Sequence, residues 1–362
     1  MRKTQKRKRN FNLQNFRIWE KRLRYPLGAT FFAIYMICVY FFYQNEVVYL
    51  PHHDTPIHLY SNQTGDDLRQ VIKEAMKQAK ESIMLMIFSL TDNELIDMLR
   101  KKSEEGVEVH IIQDAIATPD IAWKLGPKVK IHKRRDKGLM HQKLLVIDHK
   151  QVWLGSTNFT RESLQLHANL LVGILSPELS YSIEKKAADI FANKRIKTPI
   201  IKIEGKENID FYFLPDQPEA LDHLIKTINT AKKTVKVAMY TFTHPLLAQA
   251  LVDAHKRGVD VDVVIDSDSA KQTSKKVFVQ LKREGVPVSI SARTGLLHYK
   301  LMIVDDEMLV AGSANWTKAA FTSNDDNISF IYPLTEEQKK MLDALWSQVK
   351  KESKPSFTSS RR

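Results

Sequence analysis

Cysteine is almost missing from this chain: Cys38 is the only one in 362 residues. An intrachain disulfide and a cysteine-ligated metal cluster are both excluded, and the redox compartment stays open. Excess charge is also thin outside one segment. Of the net +13, residues 1–25 hold +9, with ten Lys/Arg against Glu20 alone. The remainder is only mildly basic, which weakens any inference from composition to a polyanionic partner. Residues 25–45 carry no charge at all. Metal-ligand spacing is absent too. His52-His53 have no further ligand nearby, and Asp260 and Asp262 share one strand face, where solvated carboxylates are ordinary.

What is present begins with that charge-free run. Residues 27–43 are apolar or aromatic apart from Gly28 and Thr30, and about 20 such residues suffice to cross a bilayer as a helix. The run is rich in aromatics, and no small-x-small cleavage site follows it, so it reads as an uncleaved anchor rather than a signal peptide. The basic flank predicts a single-pass membrane protein with residues 1–24 in the cytoplasm. The remainder then lies across the membrane, periplasmic in a Gram-negative cell. Residues 46–60, with Pro51 and Pro56, read as a linker containing an edge strand.

Beyond it the chain repeats itself. Residues 66–80 place Leu68, Ile72, Ala75 and Ala79 on one helical face. A strand then ends at Ser89, a helix follows, and Gly106 opens a strand ending at Asp114. The second half repeats these landmarks at Thr241, Gly258 and Asp266, an offset of 152 in each case. Strands alternating with helices predict two α/β halves with mostly parallel sheets, at 61–205 and 206–352, before a polar unstructured tail at 353–362.

Each half carries one conspicuous motif. The first reads His141-x-Lys143-x4-Asp148, then Gly155-Ser156-x-Asn158. The second reads His298-x-Lys300-x4-Asp305, then Gly312-Ser313-x-Asn315. In a strand, residues i and i+2 share a face, so each His projects with its Lys. An ammonium beside each imidazole opposes a bound cation and favours an anion. Lysine, asparagine and serine supply donors for phosphate oxygens, and histidine can act as nucleophile or acid near neutrality.

These motifs resemble those of the phospholipase D superfamily, over about 290 residues from near Ile57 to near Lys350. The resemblance implies two α/β/α halves about a pseudo-twofold axis, sharing one active site that needs no cofactor, metal or oligomer. It implies attack on phosphorus by one histidine and protonation of the leaving oxygen by the other. His141 is assigned as nucleophile and His298 as acid/base. Lys143, Lys300, Asn158 and Asn315 would hold the phosphoryl oxygens, aided by Ser156 and Ser313. Asp148 and Asp305 complete the catalytic signature, more as orienting groups than as substrate contacts. The family places an acid just before an Asn after the Gly-Ser loop, where it supports the histidine of its own half. The second copy keeps this as Asp326-Asn327. The first reads His167-Ala168-Asn169, which puts alanine at the acid position, so that either activity is reduced or a substitute such as Glu162 or His167 supports His141.

The expected substrate is a phospholipid head-group diester. Nucleic acid is the alternative, supported by basic residues before each motif (Lys128, Lys130, Lys133, Arg134, Arg135 and Lys137, then Lys271, Lys275 and Lys276). Cardiolipin-type transphosphatidylation and an inactive scaffold are further readings.

Overall fold

In a computed structural model, residues 28–37, 48–135, 137–192, 194 and 196–355 are described. The chain divides into two compact units, Met1–Tyr49 and Leu50–Arg362. In the first unit, residues 28–37 are helical. The rest of the expected anchor, residues 25–27 and 38–45, lies outside the described residues. Among the described residues no helix is long and apolar enough to cross a membrane.

Among the described residues, the second unit contains every strand and both hydrophobic clusters, so it has what it needs to fold alone. Its first sheet has the order β1-β7-β6-β5-β2-β3-β4. These strands are β1 (Ile57–Ser61), β2 (Ser82–Ile87), β3 (Glu108–Asp114), β4 (Lys130–Arg134), β5 (Lys143–Ile147), β6 (Gln151–Gly155) and β7 (Leu170–Leu175). The second sheet has the order β16-β12-β11-β10-β13-β14-β15-β9-β8. It comprises β8 (Ile201–Ile203), β9 (Asn208–Leu214), β10 (Thr234–Met239), β11 (Asp260–Ile265), β12 (Val288–Ser291), β13 (Lys300–Val304), β14 (Met308–Gly312), β15 (Asp326–Tyr332) and β16 (Ser353–Pro355).

The sheets are mixed rather than mostly parallel. Only β2-β3-β4 and β10-β11-β12 run parallel; every other pairing is antiparallel. The cause is local and lies in the motifs themselves. Asp148-His149 and Asp305-Asp306 all have φ between 50° and 57°. Two consecutive left-handed residues make a tight type I′ turn, which folds each motif strand back on the next as a hairpin. Two boundaries also move. Strand β8 joins the second sheet through β9, and Ser353–Pro355 pairs with β12 instead of belonging to an unstructured tail.

Helices α1 (Leu68–Lys77) and α2 (Asn93–Glu104) start where Asp67 and Asp92 accept hydrogen bonds from backbone N–H groups of the first turn. Leu68, Ile72, Ala75 and Ala79 are all buried, as the period predicts. One hydrophobic cluster joins inward-facing residues of both sheets, including Leu144 and Val146 of β5 with Leu301 and Ile303 of β13. Helices α3 (Pro177–Phe191) and α4 (Glu336–Lys351) contribute Leu179, Ile183, Leu342 and Leu345 to it. At roughly 1.5–3 kcal/mol per fully buried Leu or Ile, this shared core fixes the two halves against each other and brings the motif strands together.

Candidate active site

Each motif strand enters the core with its histidine just ahead of its first residue. Lys143 and Lys300 open β5 and β13, and their ammonium groups donate back to the carbonyls of His141 (2.8 Å) and His298 (2.9 Å). At the far ends of these strands, Asp148 accepts the backbone N–H groups of Lys80, Glu81 and Ser82, and Asp305 those of Lys232, Lys233 and Thr234. Each aspartate lies five strand steps beyond its lysine, about 16 Å at the rise of a strand. The motif aspartates therefore leave the catalytic set: they tie the hairpin turn to the start of the neighbouring strand.

The residues before each histidine cross to the other half. The N–H of His141 donates to the carbonyl of Asp325 (2.8 Å), and the N–H of His298 to that of Ala168 (3.0 Å). This crossing overturns the expected pairing of the acid. Asp326 lies against the histidine of the opposite half, with the Nδ1–H of His141 donating to its Oδ1 at 2.7 Å. The Nδ1–H of His298 donates to Oδ1 of Asn169 at 3.0 Å. Asn169, not Ala168, is the counterpart of Asp326. Both follow the Gly-Ser serine by thirteen residues, and both accept its hydroxyl proton: Ser313 to Asp326 at 2.6 Å, Ser156 to Asn169 at 2.7 Å. The loops are equal in length, and Ala168 matches Asp325. Both histidines thus have a partner, one a carboxylate and one an amide.

These contacts also fix the tautomers. A carboxylate only accepts, so Nδ1 of His141 carries the proton. The Nδ2 of Asn169 donates to the carbonyl of Ser163 at 2.7 Å, which turns its oxygen to His298 and protonates that Nδ1 as well. Both Nε2 atoms are left with free lone pairs, and neither has a hydrogen-bond partner among the described residues.

Ser156 and Ser313 cannot serve as phosphate donors, because each has given its single hydroxyl proton to Asn169 or Asp326. Asn158 and Asn315 remain half-buried on the loops after β6 and β14, and their amide N–H groups are unengaged among the described residues. Three further residues join the site. Phe88 lies edge-on to His141 (5.1 Å) and below the Lys143 ammonium (5.3 Å), while Tyr240 holds the same place by His298 (5.0 Å) and Lys300 (5.0 Å). Their offset of 152, shared with Ser89 and Thr241, was the available signal. Gln142 donates to the carbonyl of Asp326 and accepts from Asn327, both at 2.6 Å, latching the halves beside the histidine. His167 stands 6.1 Å from the ring of His298, away from the histidine it was expected to support.

The site is buried and crowded with basic groups. Burial, then the Lys143 charge, hold His141 below its ordinary pKa, with Asp326 pulling upward. Burial, then Lys300 and Lys143, hold His298 well below. Burial pushes Lys143 down to about 7 and Lys300 well below its usual range. Burial also pushes Asp326 upward, but His141, Lys143 and the Ser313 hydroxyl outweigh it and keep the carboxyl ionised below its usual value. Four basic groups, each held below its ordinary pKa, crowd around one carboxylate, and a bound anion would favour their charged forms.

Gly155 and Gly312 close the approach of these loops. At φ of 145° and 157°, a Cβ would stand 2.2 Å from the Leu170 carbonyl and 2.4 Å from that of Asn327. Gly155→Ala and Gly312→Ala should each cost at least about 3 kcal/mol in urea unfolding; a loss below about 1 kcal/mol would show that the loops yield.

The sequence matches the family described as "Cardiolipin synthase, PLD-like domain" over residues 72–191 and again over 224–346. It is similar to a mitochondrial cardiolipin hydrolase of Xenopus laevis, 31% identical over 137 residues, covering 37% of this chain and 65% of that protein. A phospholipase D of Rickettsia bellii is 34% identical over 104 residues, covering 29% of this chain and 51% of the relative. The chain thus spans about half to two thirds of the length of the curated relatives it matches. Among solved structures, phosphatidylserine synthase of Haemophilus influenzae superposes with a TM-score of 0.66 at 15% identity, covering 86% of this chain and 90% of that one, a likeness of fold alone. With two family matches spanning more than half its length, one around each His-Lys motif, the chain belongs to the PLD-like, cardiolipin-synthase domain family.

Proposed function

We propose that this chain is a phosphodiesterase that cleaves the head-group diester of a phospholipid through a phosphohistidine intermediate on His141. The observation that carries the reading is the pair of buried histidines. They come one from each half, each with Nδ1–H committed, Nε2 free and a lysine alongside. In the first step the Nε2 lone pair of His141 attacks phosphorus, the bond from phosphorus to the leaving oxygen breaks, and a proton on Nε2 of His298 goes to that oxygen. In the second step His298 takes a proton from water, the water oxygen attacks phosphorus, and the bond to His141 breaks.

The other residues act on charge. Lys143, Lys300, Asn158 and Asn315 would hold the non-bridging oxygens as negative charge grows on them. A bound phosphate anion raises the pKa of His298 as well as that of both lysines, which supplies the acid its proton at neutral pH. The Asp326 carboxylate stabilises the cationic ring of phosphorylated His141. The charge-free segment 25–45 belongs to the same reading as a single-pass anchor near the lipid.

The second reading, a nuclease, is favoured by one observation. A groove of about 920 Å³ beside β4, lined by Lys133, Arg135, Lys137 and Lys194, suits a polyanion. A turnover assay of the Leu50–Arg362 unit on phosphatidylcholine, cardiolipin, single-stranded DNA and RNA in EDTA separates the two. Phospholipid cleavage that EDTA leaves unchanged within about twofold is expected, since the lysine beside each histidine disfavours a metal ion there. Loss of all activity in EDTA, or cleavage of nucleic acid alone, defeats the proposal.

A further inference from the structure

Three large apolar side chains stand exposed in two adjacent loops of the first half. Ile116 is 85% exposed, Trp123 77% and Leu139 45%. Both loops are tied to the site through one carboxylate. Asp114 accepts the N–H groups of Ile116 (2.9 Å) and Ala117 (2.8 Å) with one oxygen, and that of Met140 (3.1 Å), next to His141, with the other. Thr118 returns to the strand end that carries Phe88, donating to the Phe88 carbonyl at 3.0 Å. Ile116 and Leu139 therefore stand beside the strand ends that carry Phe88 and His141, and Trp123 follows on the short helix Ala122–Leu125.

The second half is an internal control. Asp266 makes the equivalent bonds, to the N–H groups of Asp268 (3.0 Å), Ser269 (3.2 Å) and Leu297 (2.9 Å). The position of Ile116 is there held by Asp268. The turn has no need of an apolar residue, so Ile116 is not explained by folding.

Charge indicates what covers this rim. Residues 115–140 carry seven Lys/Arg against Asp120 and Asp136 alone. Lys124 lies 5.3 Å over the Trp123 ring, and the basic groove opens beside Gly138. Single exposed apolar side chains, one of them a tryptophan on a short helix, interleaved with lysines, suit the head-group layer of an anionic bilayer.

We propose that the segments 115–125 and 137–140 are an interfacial docking surface. Ile116, Trp123 and Leu139 enter an anionic phospholipid bilayer, and the neighbouring cations lie against its head groups. The inference rests on the phospholipid reading of the site and gives the lipid a route into it.

The test uses the Leu50–Arg362 unit, with Ile116→Asp (the residue the second half has there) combined with Trp123→Ala. Co-sedimentation with vesicles of phosphatidylcholine, with and without phosphatidylglycerol, reads binding. Turnover of phosphatidylglycerol in vesicles and of soluble bis(4-nitrophenyl) phosphate reads activity. The wild-type unit should sediment with the phosphatidylglycerol vesicles alone. The variant should lose about tenfold or more in vesicle affinity and lipid turnover, while cleaving the soluble diester within about twofold, which also shows that it is folded. Vesicle binding by the variant equal to wild type, or no binding by either, overturns the docking surface. Cleavage of the soluble diester without any phospholipid turnover defeats the phospholipid reading instead, and sedimentation still decides the docking surface separately.

Discussion

His141→Asn should abolish the phosphoenzyme and turnover together, with a fall in kcat on the order of 10⁴-fold or more. His298→Asn should behave differently, slowing both steps yet leaving a labelled phosphoenzyme that survives an alkaline denaturing quench, as a phosphohistidine does. The distinction follows from the partners. Attack on phosphorus makes the His141 ring cationic, and the Asp326 carboxylate at 2.7 Å from Nδ1 meets that charge. At His298 the partner is the neutral amide of Asn169, which fixes the ring without compensating a charge. A hydrogen bond to an ionised acceptor is roughly twice as strong as one between neutral groups. The first histidine is thereby suited to hold a covalent cation, and the second to give a proton away. In His141→Asn the new amide can still donate to Asp326, so the loss is expected without unfolding. Phosphoenzyme that persists in His141→Asn and vanishes in His298→Asn reverses the two roles.

Much of this arrangement was legible in the chain because it is written twice. The paired motifs located both histidines and both lysines, and the offset of 152 found the equivalent strand ends. Three things were not legible, each for a physical reason. The parallel character of the sheets was overestimated because each motif strand folds back on the next through a connection of three residues. These connections require left-handed backbone at Asp148, His149, Asp305 and Asp306, and such residues do not announce it as glycine would. The serines of the Gly-Ser loops look like ligand donors until the loop closes and their one proton goes to Asn169 or Asp326. The partner of each histidine was assigned within its own half because spacing carries no information about crossing. Only the inter-half backbone bonds, from His141 to Asp325 and from His298 to Ala168, decide it. The repeat did hold one unused clue. The offset of 157 that relates the histidines also relates Asn169 to Asp326, and it would have removed Ala168 from consideration.

Asp326→Asn should fold as well as the wild type and turn over substrate about 10²-fold more slowly. The first half demonstrates the tolerance. Asn169 there accepts the histidine Nδ1–H and the serine hydroxyl with one amide oxygen, and the amide introduced by Asp326→Asn can accept both bonds in the same way. The bonds survive and the charge does not. Without the carboxylate, the pKa of His141 falls further, because burial and Lys143 already hold it down and Asp326 is what raises it. The nucleophile must be deprotonated in the free enzyme, so the acidic limb of kcat/KM moves to lower pH while its plateau drops. Two consequences separate this from a merely structural loss. The phosphoenzyme should form more slowly in rapid-quench measurements, because the developing imidazolium loses its counter-charge. Asp326→Ala should add a loss of stability of about 1–3 kcal/mol, since it strands the buried His141 Nδ1–H and the Ser313 hydroxyl. The reciprocal change, Asn169→Asp, supplies His298 with the charge it lacks and should move the basic limb of the profile to higher pH. If Asp326→Asn keeps its plateau rate and its acidic limb unchanged, the carboxylate only positions His141, and the asymmetry between the halves has no part in the chemistry.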